Sequence, residues 1–222
     1  ILRWFNSHCF DVQKRAQVLG TLTRSLDGLC VAGTHGKTTT SSMIAHILDG
    51  TPERCNAFLG GILKNIGSNL MVSNKSRRVV IEADEFDRSF HHLTPLRSVI
   101  TAVDADHLDI YGTYEAYVES FRKYTSLIKP GGDLILHVGL EEKIKPQLQD
   151  GVNLYTYGLD EGTFHAANVK VGNGELRFDY VSPLGSIADV ELGVGQPGEG
   201  PASRRHLDHA ALCGDGTDLV VR

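Results

Sequence analysis

Short apolar runs alternate with longer amphipathic segments along most of the chain. Runs rich in Val, Ile and Leu predict buried strands at residues 29–32, 78–81, 98–103 and 134–138. The helical spacing of apolar positions predicts helices at residues 38–48 and 114–127. Buried strands that alternate with helices are typical of an α/β protein. We therefore expect a mainly parallel sheet with helices on both faces.

The pattern changes after residue 150, where shorter segments are separated by turn-forming residues. Strands are predicted at residues 153–157, 164–171 and 175–181, and Gly172-Asn-Gly174 is a turn signal between the last two. We expect these strands to extend the sheet in an antiparallel manner. In the helix at 114–127, aromatic residues three and four positions apart predict one face packed on the sheet: Tyr114, Tyr117, Phe121 and Tyr124.

Composition and charge exclude several classes of protein. The chain has 222 residues, of which 41% are hydrophobic, as in ordinary globular proteins. Its net charge of -5 argues against a nucleic-acid-binding surface. No apolar stretch approaches the roughly 20 residues that cross a bilayer, so we expect no membrane contact. The four cysteines form no C-x-x-C pair, which fits a reducing compartment and argues against a disulfide framework or structural zinc.

The segment Gly33-Thr-His-Gly-Lys-Thr38 connects the first predicted strand to the first predicted helix. Its glycines let backbone N–H groups approach an anion closely, and the N-terminus of a helix favours negative charge. Lys37 can reach outer phosphates, and the Thr38 hydroxyl can bind Mg²⁺. Although the loop is shorter than the common P-loop, it predicts a P-loop NTPase-like phosphate site. An ordinary turn with a surface lysine would leave the run from Lys37 to Thr40 unexplained.

Two of the predicted strands end in acidic residues. Glu82-Ala-Asp-Glu85 follows the strand at 78–81, and Asp104-Ala-Asp-His107 follows the strand at 98–103. Since parallel strands present their carboxyl ends at one edge, where ligands bind, these runs should lie near the glycine loop. Carboxylates there can hold Mg²⁺, and a histidine can bind a second ion or position a phosphate. Taken singly, each acid is more simply interpreted as a cap or a solvated turn.

Three motifs together resemble the central ATPase domain of the Mur ligases. They are Gly33-Thr-His-Gly-Lys-Thr38, Glu82-Ala-Asp-Glu-Phe-Asp87 and Asp106-His-Leu-Asp109, and the resemblance covers residues 10–192. The Mur ligases are cytoplasmic enzymes that build the peptide stem of peptidoglycan. Most members have Asn where this chain has His35. The histidine matches the branch that attaches the first amino acid and a recycling relative that attaches a whole tripeptide. We favour the first of these.

The resemblance implies an ATP-dependent ligase that joins the carboxylate of UDP-N-acetylmuramate to L-alanine through an acyl phosphate, with ATP and Mg²⁺ as cofactors. The implied catalytic residues are Lys37, Glu82 and His107, and the implied Mg²⁺ ligands are Thr38, Glu82 and His107. The implied nucleotide contacts are Gly33, Thr34, His35, Gly36, Lys37, Thr38 and Thr39. For His35 and Thr39, a purely local role in the loop or the first helical turn is an alternative.

Other residues near the motifs have two interpretations. The resemblance places contacts to the UDP-sugar at Gly60, Gly61, Asn65 and Asn69, although a glycine–asparagine loop is more often a simple turn. It places the sugar acid or the incoming amino acid near Asp84, Glu85, Asp87 and Arg88. Family members often have Asn shortly after the strand that leads to the Asp-His motif. This chain has Thr101-Ala-Val103 there, so that contact is missing or supplied by another group.

The resemblance also predicts the organisation of the chain. Residues 1–26 would be the end of an N-terminal domain or a linker, and 27–192 the central ATP-binding domain. In residues 193–222, glycine and proline accumulate where the family continues into a helix. We interpret this tail as a non-native end, a different reading frame or a disordered segment. Since Mur ligases have three modules and this chain begins with Ile1, we interpret it as a fragment that does not ligate alone.

Two alternative functions remain open from the sequence. The first is the recycling ligase, which differs only in attaching a tripeptide. The second is a P-loop nucleotide-binding module or NTPase without ligase activity, which would leave the Glu82 and His107 motifs unexplained. The sequence motifs determine neither the amino acid that is attached nor the oligomeric state.

Overall fold

The computed structural model describes residues 2–63, 66–172 and 175–193. In this part of the chain, ten strands form one sheet. The strands are β1 (Asp27–Ala32), β2 (Asn56–Leu63), β3 (Ser68–Met71), β4 (Arg78–Glu82), β5 (Arg97–Ile100), β6 (Asp133–His137), β7 (Asn153–Leu159), β8 (Phe164–Gly172), β9 (Glu175–Ser182) and β10 (Gly185–Gly193). The helices are α1 (Leu2–Ser7), α2 (Arg15–Ser25), α3 (Lys37–Asp49), a 3-10 helix (Phe86–His92), α4 (Leu108–Tyr111), α5 (Tyr114–Thr125) and α6 (Leu140–Ile144).

The sheet is mainly parallel, as the sequence predicted. Its strand order is β10-β9-β8-β7-β6-β5-β1-β4-β2-β3. All neighbours from β2 to β8 in this order are parallel, whereas β3, β9 and β10 are antiparallel to their neighbours. Val31 pairs with Glu82, and Ala32 pairs with Ile100. The carboxyl ends of β1, β4 and β5 therefore lie together at one edge of the sheet.

Helices cover both faces of the sheet. Side chains of β1 alternate between two core clusters, with Cys30 and Ala32 in one and Leu29 and Val31 in the other. The first cluster packs against α2 and α5, and the second packs against α3. Burial of each large aliphatic side chain in such a cluster contributes about 1.5–3 kcal/mol, so the apolar strand runs fix β1 at the centre of the molecule.

The aromatic row of α5 forms the predicted buried face. Tyr117, Phe121 and Tyr124 are fully buried, and Tyr114 is half-buried. The Thr113 side chain accepts a hydrogen bond from the backbone N–H of Ala116 and caps the helix. α5 therefore begins at the predicted residue and packs on the sheet beside the ends of β1 and β5.

The pairing of β7 and β8 differs from the antiparallel pairing predicted for residues 153–157 and 164–171. β7 is parallel to β6, and β8 is parallel to β7 with Tyr157 opposite Phe164. The chain turns back between them through Asp160 and Gly162, which have φ of +61° and +103°. This left-handed turn lets a very short connection join two parallel strands. Antiparallel pairing begins at β8 and β9, and β10 continues it.

The amino-terminal segment contributes to the core. α2 lies inside the segment predicted as a linker, and Leu19 joins the first core cluster. Cys30 and Cys55 are buried free thiols, and Cys9 is an exposed one. Residues 194–222, with most of the predicted atypical tail and Cys213, lie outside the described residues, as does Asn65. Among the described residues, no helix is long and apolar enough to cross a membrane.

Candidate functional site

The loop between β1 and α3 depends on two glycines with positive φ. Gly36 has φ of +82° and directly precedes α3. Gly33 has φ of +133°, and a Cβ there would lie 2.2 Å from Oγ1 of Thr101. Any other residue at position 33 would collide with the segment that follows β5. The glycines thereby place the N-terminus of α3 at the sheet edge where β4 and β5 end, which is a favourable position for an anion.

The side chain of Lys37 turns back over this loop. Nζ donates to the carbonyl of Gly33 at 2.6 Å and contacts Oε1 and Oε2 of Glu85 at 2.9 and 2.8 Å. The Lys37 side chain is 17% exposed and that of Glu85 is 1% exposed. An ammonium has three N–H donors. The loop and Glu85 therefore use the full donor capacity of Lys37 in this structure.

Glu82, at the end of β4, is held by three donors. Its Oε2 accepts from Oγ1 of Thr38 at 3.1 Å, and its Oε1 accepts from Oγ of Ser41 at 3.2 Å and from the N–H of Gly60 at 2.6 Å. A Cβ at Gly60 would lie 2.6 Å from Oε2 of Glu82, so a side chain there would displace the carboxylate. Thr38 and Glu82 are thus fixed beside each other at the start of α3.

His107 lies on the other side of Glu85. It has φ of +50° directly before α4, and its backbone N–H donates to Oδ1 of Asp106 at 2.8 Å. Its Nε2 is 3.7 Å from Oε1 of Glu85, and its ring packs edge-on against Phe86. Glu85 is therefore the carboxylate that lies between Lys37 and His107.

Thr34 joins the loop to β5 and α5. Its backbone N–H donates to the carbonyl of Ala102 at 2.9 Å, and its Oγ1 accepts from the N–H of Asp104 at 2.9 Å. The hydroxyl of Tyr117 lies 3.1 Å from the same Oγ1. Burial raises the pKa of Tyr117 well above its usual value, so that the phenol stays protonated. The loop is thus anchored to the core.

Thr101 directly follows β5 and lies beside the loop. Its hydroxyl lies within hydrogen-bond distance of two carbonyls, 3.1 Å from that of Ala32 and close to that of His35, and its single proton is donated to one of them at a time. A contact across the loop is therefore supplied by Thr101. The ring of His35 itself is exposed, with Nε2 3.8 Å from Oδ2 of Asp104.

The segment after Glu85 has an unusual backbone. Asp87 and Arg88 both have positive φ, +50° and +56°, which costs on the order of 1–2 kcal/mol for each non-glycine residue. Tyr111 donates its hydroxyl to the backbone carbonyl of Glu85 at 2.5 Å, and the guanidinium of Arg88 lies 4.6 Å from the centre of the Tyr111 ring. Burial raises the pKa of Tyr111, which keeps it a donor. These contacts fix Glu85 in the site.

The remaining predicted residues lie at the surface of the site. Thr39 is exposed on the first turn of α3, and Asn69 is exposed on β3. Asp84 is exposed and accepts a hydrogen bond from the backbone N–H of Phe86 at 3.1 Å. Gly61 lies against Thr38, since a Cβ there would be 2.9 Å from Cγ2 of Thr38. The structure brings the residues of the loop together with Glu82 and His107.

The oxygen atoms of Thr38 and Glu82 at this edge are suitable ligands for Mg²⁺. The Thr38 hydroxyl and the Glu82 carboxylate are oxygen ligands, which Mg²⁺ prefers, and Mg²⁺ is usually bound by one or two carboxylates together with substrate phosphates. Among the described residues, no group of three or more His, Cys, Asp or Glu side chains is arranged to hold a metal ion. The fit therefore rests on the Thr38–Glu82 pair.

Four contributions to the site were not predicted from the sequence. Ser41 could have been found, because it lies three residues after Thr38 on the same helix face and so also reaches Glu82. The contact of Gly60 with Glu82 and the roles of Thr101 and Tyr111 join residues far apart in the chain. No local pattern indicates such contacts.

Comparison with known proteins identifies relatives of this chain. Residues 31–201 match the family model described as the Mur ligase middle domain. The UDP-N-acetylmuramate–L-alanine ligase of Phocaeicola vulgatus is 64% identical over 191 residues, which are 86% of this chain and 41% of the relative. The ligase of the same name from Porphyromonas gingivalis is 50% identical over 195 residues, which are 87% of this chain and 42% of the relative.

Solved structures show the same fold. The UDP-N-acetylmuramate–alanine ligase of Thermotoga maritima is 26% identical with a TM-score of 0.69, over 87% of this chain and 44% of that chain. The UDP-N-acetylmuramate:L-alanyl-γ-D-glutamyl-meso-diaminopimelate ligase of Neisseria meningitides is 21% identical with a TM-score of 0.74, over 94% of this chain and 67% of that chain. The second likeness shows the fold alone.

The chain spans about two fifths of the length of the curated relatives that it matches, 41% of one and 42% of the next. The family model nevertheless covers most of the chain, from residue 31 to residue 201. With a relative that is 64% identical and a family model that matches residues 31–201, this chain belongs to the Mur ligase family and contains its middle domain.

Proposed function

We propose that this chain is the ATP-binding part of a ligase that joins the carboxylate of UDP-N-acetylmuramate to L-alanine in the cytoplasm. The observation that carries the proposal is the meeting of the glycine loop, Lys37 and the Thr38–Glu82 pair at one sheet edge. The names of the relatives at 64% and 50% identity support the two substrates.

The proposed reaction has two steps. The muramoyl carboxylate attacks the γ-phosphate of ATP, which gives an acyl phosphate and ADP. The amine of L-alanine then attacks the acyl carbon, phosphate leaves, the amine loses a proton and an amide forms. Phosphoryl transfer depends mainly on positioning and on stabilising charge, which are the properties of this site.

Each loop residue has a role in this proposal. The backbone at Gly33, Gly36 and Thr39 would approach the phosphates, with Thr34 and His35 completing the loop. Lys37 would neutralise the β- and γ-phosphates, because a positive charge lowers the repulsion between two anions that must approach each other. A phosphate would replace Glu85 as the partner of Lys37. Such a replacement is compatible with the position of Nζ close to the loop.

Mg²⁺ would be held by the Thr38 hydroxyl and the Glu82 carboxylate. When bound, it supplies positive charge beside the phosphate oxygens. The donors from Ser41 and Gly60 keep the Glu82 carboxylate in place for this role. His107 is proposed to help hold a second ion near the acceptor carboxylate.

The first test is a calorimetric titration of this chain with ATP, in Mg²⁺ and without it. Lys37→Ala should weaken binding in Mg²⁺ by about tenfold or more, since hydrogen bonds to charged groups contribute about 1.5–3 kcal/mol. Lys75→Ala is the matched control, because Lys75 is exposed beyond β3. Equal affinities for all three proteins would contradict the proposed phosphate site.

The ligation step needs the full-length protein that contains this chain. Phosphate release should require both UDP-N-acetylmuramate and an amine acceptor, and L-alanine should be the preferred acceptor. His35 and the Glu82–Glu85 run fit the recycling ligase equally well, and preference for a tripeptide acceptor would assign the protein to that branch. Phosphate release without UDP-N-acetylmuramate would instead indicate an NTPase.

A further inference from the structure

Lys37 is already engaged in this structure. Its ammonium contacts the Gly33 carbonyl and both oxygens of the Glu85 carboxylate, at 2.6, 2.9 and 2.8 Å. A phosphate can therefore be contacted by Lys37 only when one of these partners is released. Glu85 is the charged partner, so that it competes directly with any phosphate for the ammonium.

Burial and an anchored backbone favour a position of Glu85 inside the site when Lys37 turns to a phosphate. The side chain is 1% exposed, and its backbone carbonyl is held by the Tyr111 hydroxyl at 2.5 Å. Tyr111 in turn lies under the guanidinium of Arg88, 4.6 Å from the centre of its ring, and the backbone of Arg88 is left-handed. A buried carboxylate thus remains beside the bound anion.

The remaining carboxylate then needs another positive partner. Leaving one member of a buried ion pair without its partner is strongly unfavourable. In the part of the chain that the structure describes, His107 is the other basic side chain within 4 Å of Glu85. Its Nε2 is 3.7 Å from the carboxylate, beyond hydrogen-bond distance. His107 does not replace the two short contacts from Lys37.

The charged side chains beside the loop determine how it interacts with the phosphates of a nucleotide. The Lys37 ammonium brings one positive charge, and the Glu82 and Glu85 carboxylates, 9% and 1% exposed, bring two negative ones. These three side chains together carry a net charge of -1, which opposes the attraction of the α3 N-terminus for a phosphate that arrives without a cation. A phosphate accompanied by a divalent cation brings the missing positive charge with it.

We propose that Glu85 makes this loop selective for nucleotide that carries a divalent cation over metal-free nucleotide. It does so by occupying Lys37 and by placing a fixed negative charge beside the phosphates. This inference rests on the proposed function of the loop as a site for ATP. Glu85 is thus a specificity-determining residue of the phosphate site, in addition to the Glu82 carboxylate.

The test compares the dissociation constants of ATP for the 222-residue chain with Mg²⁺ and with a chelator, at constant ionic strength. Glu85→Gln removes the charge and keeps the shape, and Glu85→Met is a second variant that leaves no unpaired amide. Glu115→Gln removes the same charge from an exposed position on α5 and is the matched control. Thermal melting of each protein shows that it is folded.

In both Glu85 variants, metal-free ATP should bind about tenfold more tightly than to the wild type, so that the preference for Mg²⁺ shrinks about tenfold. Glu115→Gln should keep the wild-type preference. If the wild type binds ATP and the folded Glu85 variants keep its preference for Mg²⁺, Glu85 does not determine that preference. That result would overturn the role of Glu85 and leave the proposed phosphate site standing. If none of the folded proteins binds ATP in Mg²⁺, the proposed phosphate site itself is wrong.

Discussion

At the scale of single residues, the site depends on positions where only one type of residue fits. Gly33 is such a position, because a Cβ would lie 2.2 Å from Thr101 Oγ1 and 2.8 Å from the N of Ala102. Gly131 is a matched control, since it also has positive φ, +76°, but has no atom within 4 Å of the Cβ position. Gly33 combines this collision with φ of +133°, which lies further from the left-handed region near +57° than the φ of Gly131, so both effects act at position 33.

We predict that Gly33→Ala lowers the free energy of unfolding by more than Gly131→Ala does. Gly131→Ala should cost about 1–2 kcal/mol, the cost of a left-handed conformation with a Cβ. Gly33→Ala adds overpacking of about 1–3 kcal/mol and should also abolish ATP binding. Urea unfolding of the two variants provides the comparison. Equal losses would show that the segment after β5 moves aside freely.

Thr34 is the polar centre of the loop anchor. Thr34→Val removes the acceptor of the Asp104 N–H and the partner of the Tyr117 hydroxyl, while keeping the shape. Because these groups would be left unpaired beside the core, we predict a loss of about 1–3 kcal/mol in the free energy of unfolding. Thr21→Val, on an exposed turn of α2, should change it by less than about 0.5 kcal/mol. If Thr34→Val lowers the free energy of unfolding by no more than Thr21→Val does, Thr34 does not anchor the loop.

The sequence indicated the residues of this site that belong to local patterns. The glycine loop, Lys37 and Thr38 lie in one segment, and Glu82 follows an apolar strand run, so their positions could be predicted. The position of Glu85 beside Lys37 could not be predicted from the sequence. It depends on consecutive left-handed residues, Asp87 and Arg88, and on a hydrogen bond from Tyr111, which no local propensity specifies.

At the scale of elements, the predicted helices and strands are confirmed where the spacing of apolar residues determines the secondary structure. The helices at α3 and α5 and the parallel strands β1, β4 and β6 lie where their apolar patterns indicated. The strand predicted at 98–103 spans Arg97–Ile100 in the structure; Thr101 still donates its backbone N–H to the carbonyl of Ala32, and its side chain contacts the loop. The direction of β8 was not predictable from pattern, since it follows from the left-handed turn at Asp160 and Gly162.

The strands β8, β9 and β10 form a thin extension of the sheet. A small cluster of buried residues supports it: Ala166, Leu176, Phe178 and Val190. In contrast, β1 is buried along nearly its whole length between two layers of helices. Since segments with few buried apolar contacts open locally, this extension should be less stable than the centre of the sheet.

We predict that backbone amides of β9 and β10 exchange hydrogen faster than those of β1 under native conditions. Native-state hydrogen exchange, followed by mass spectrometry of peptides, measures this difference. Phe178→Ala removes the largest side chain of the supporting cluster, and it should speed exchange in β8–β10 while leaving exchange in β1 nearly unchanged. Equal acceleration in β1 and β10 would show that the extension and the central sheet unfold together.

At the scale of the whole molecule, several groups that lose a proton at high pH are buried in the core. Burial raises the pKa of the Cys30 thiol from 9.0 to about 12 and that of the Cys55 thiol from 9.0 to about 11. It also raises the pKa of Tyr111, Tyr117 and Tyr124 above their usual value. All five groups favour the folded state only while they keep their protons.

The molecule should therefore lose stability on the alkaline side. For Cys30, the folded pKa is raised to about 12 while the unfolded thiol titrates near 9.0, so its contribution is fully present below pH 9.0. As the pH rises from there towards 12, the unfolded chain loses protons that the folded chain retains. Each such group then lowers the free energy of unfolding by up to about 1.4 kcal/mol per pH unit.

Cys30→Ala isolates one of these groups. The variant should be less stable than the wild type at pH 7, because it leaves a small cavity in β1, yet its stability should fall less steeply above pH 9. Cys9→Ala is the matched control, since Cys9 is exposed and should leave the slope unchanged. Urea unfolding at several pH values gives the slopes. Parallel slopes for wild type and Cys30→Ala would mean that the Cys30 thiol does not keep its proton in the folded core. A shallower slope for the variant would assign part of the alkaline loss of stability to the Cys30 thiol, which lies on the strand that leads into the phosphate loop.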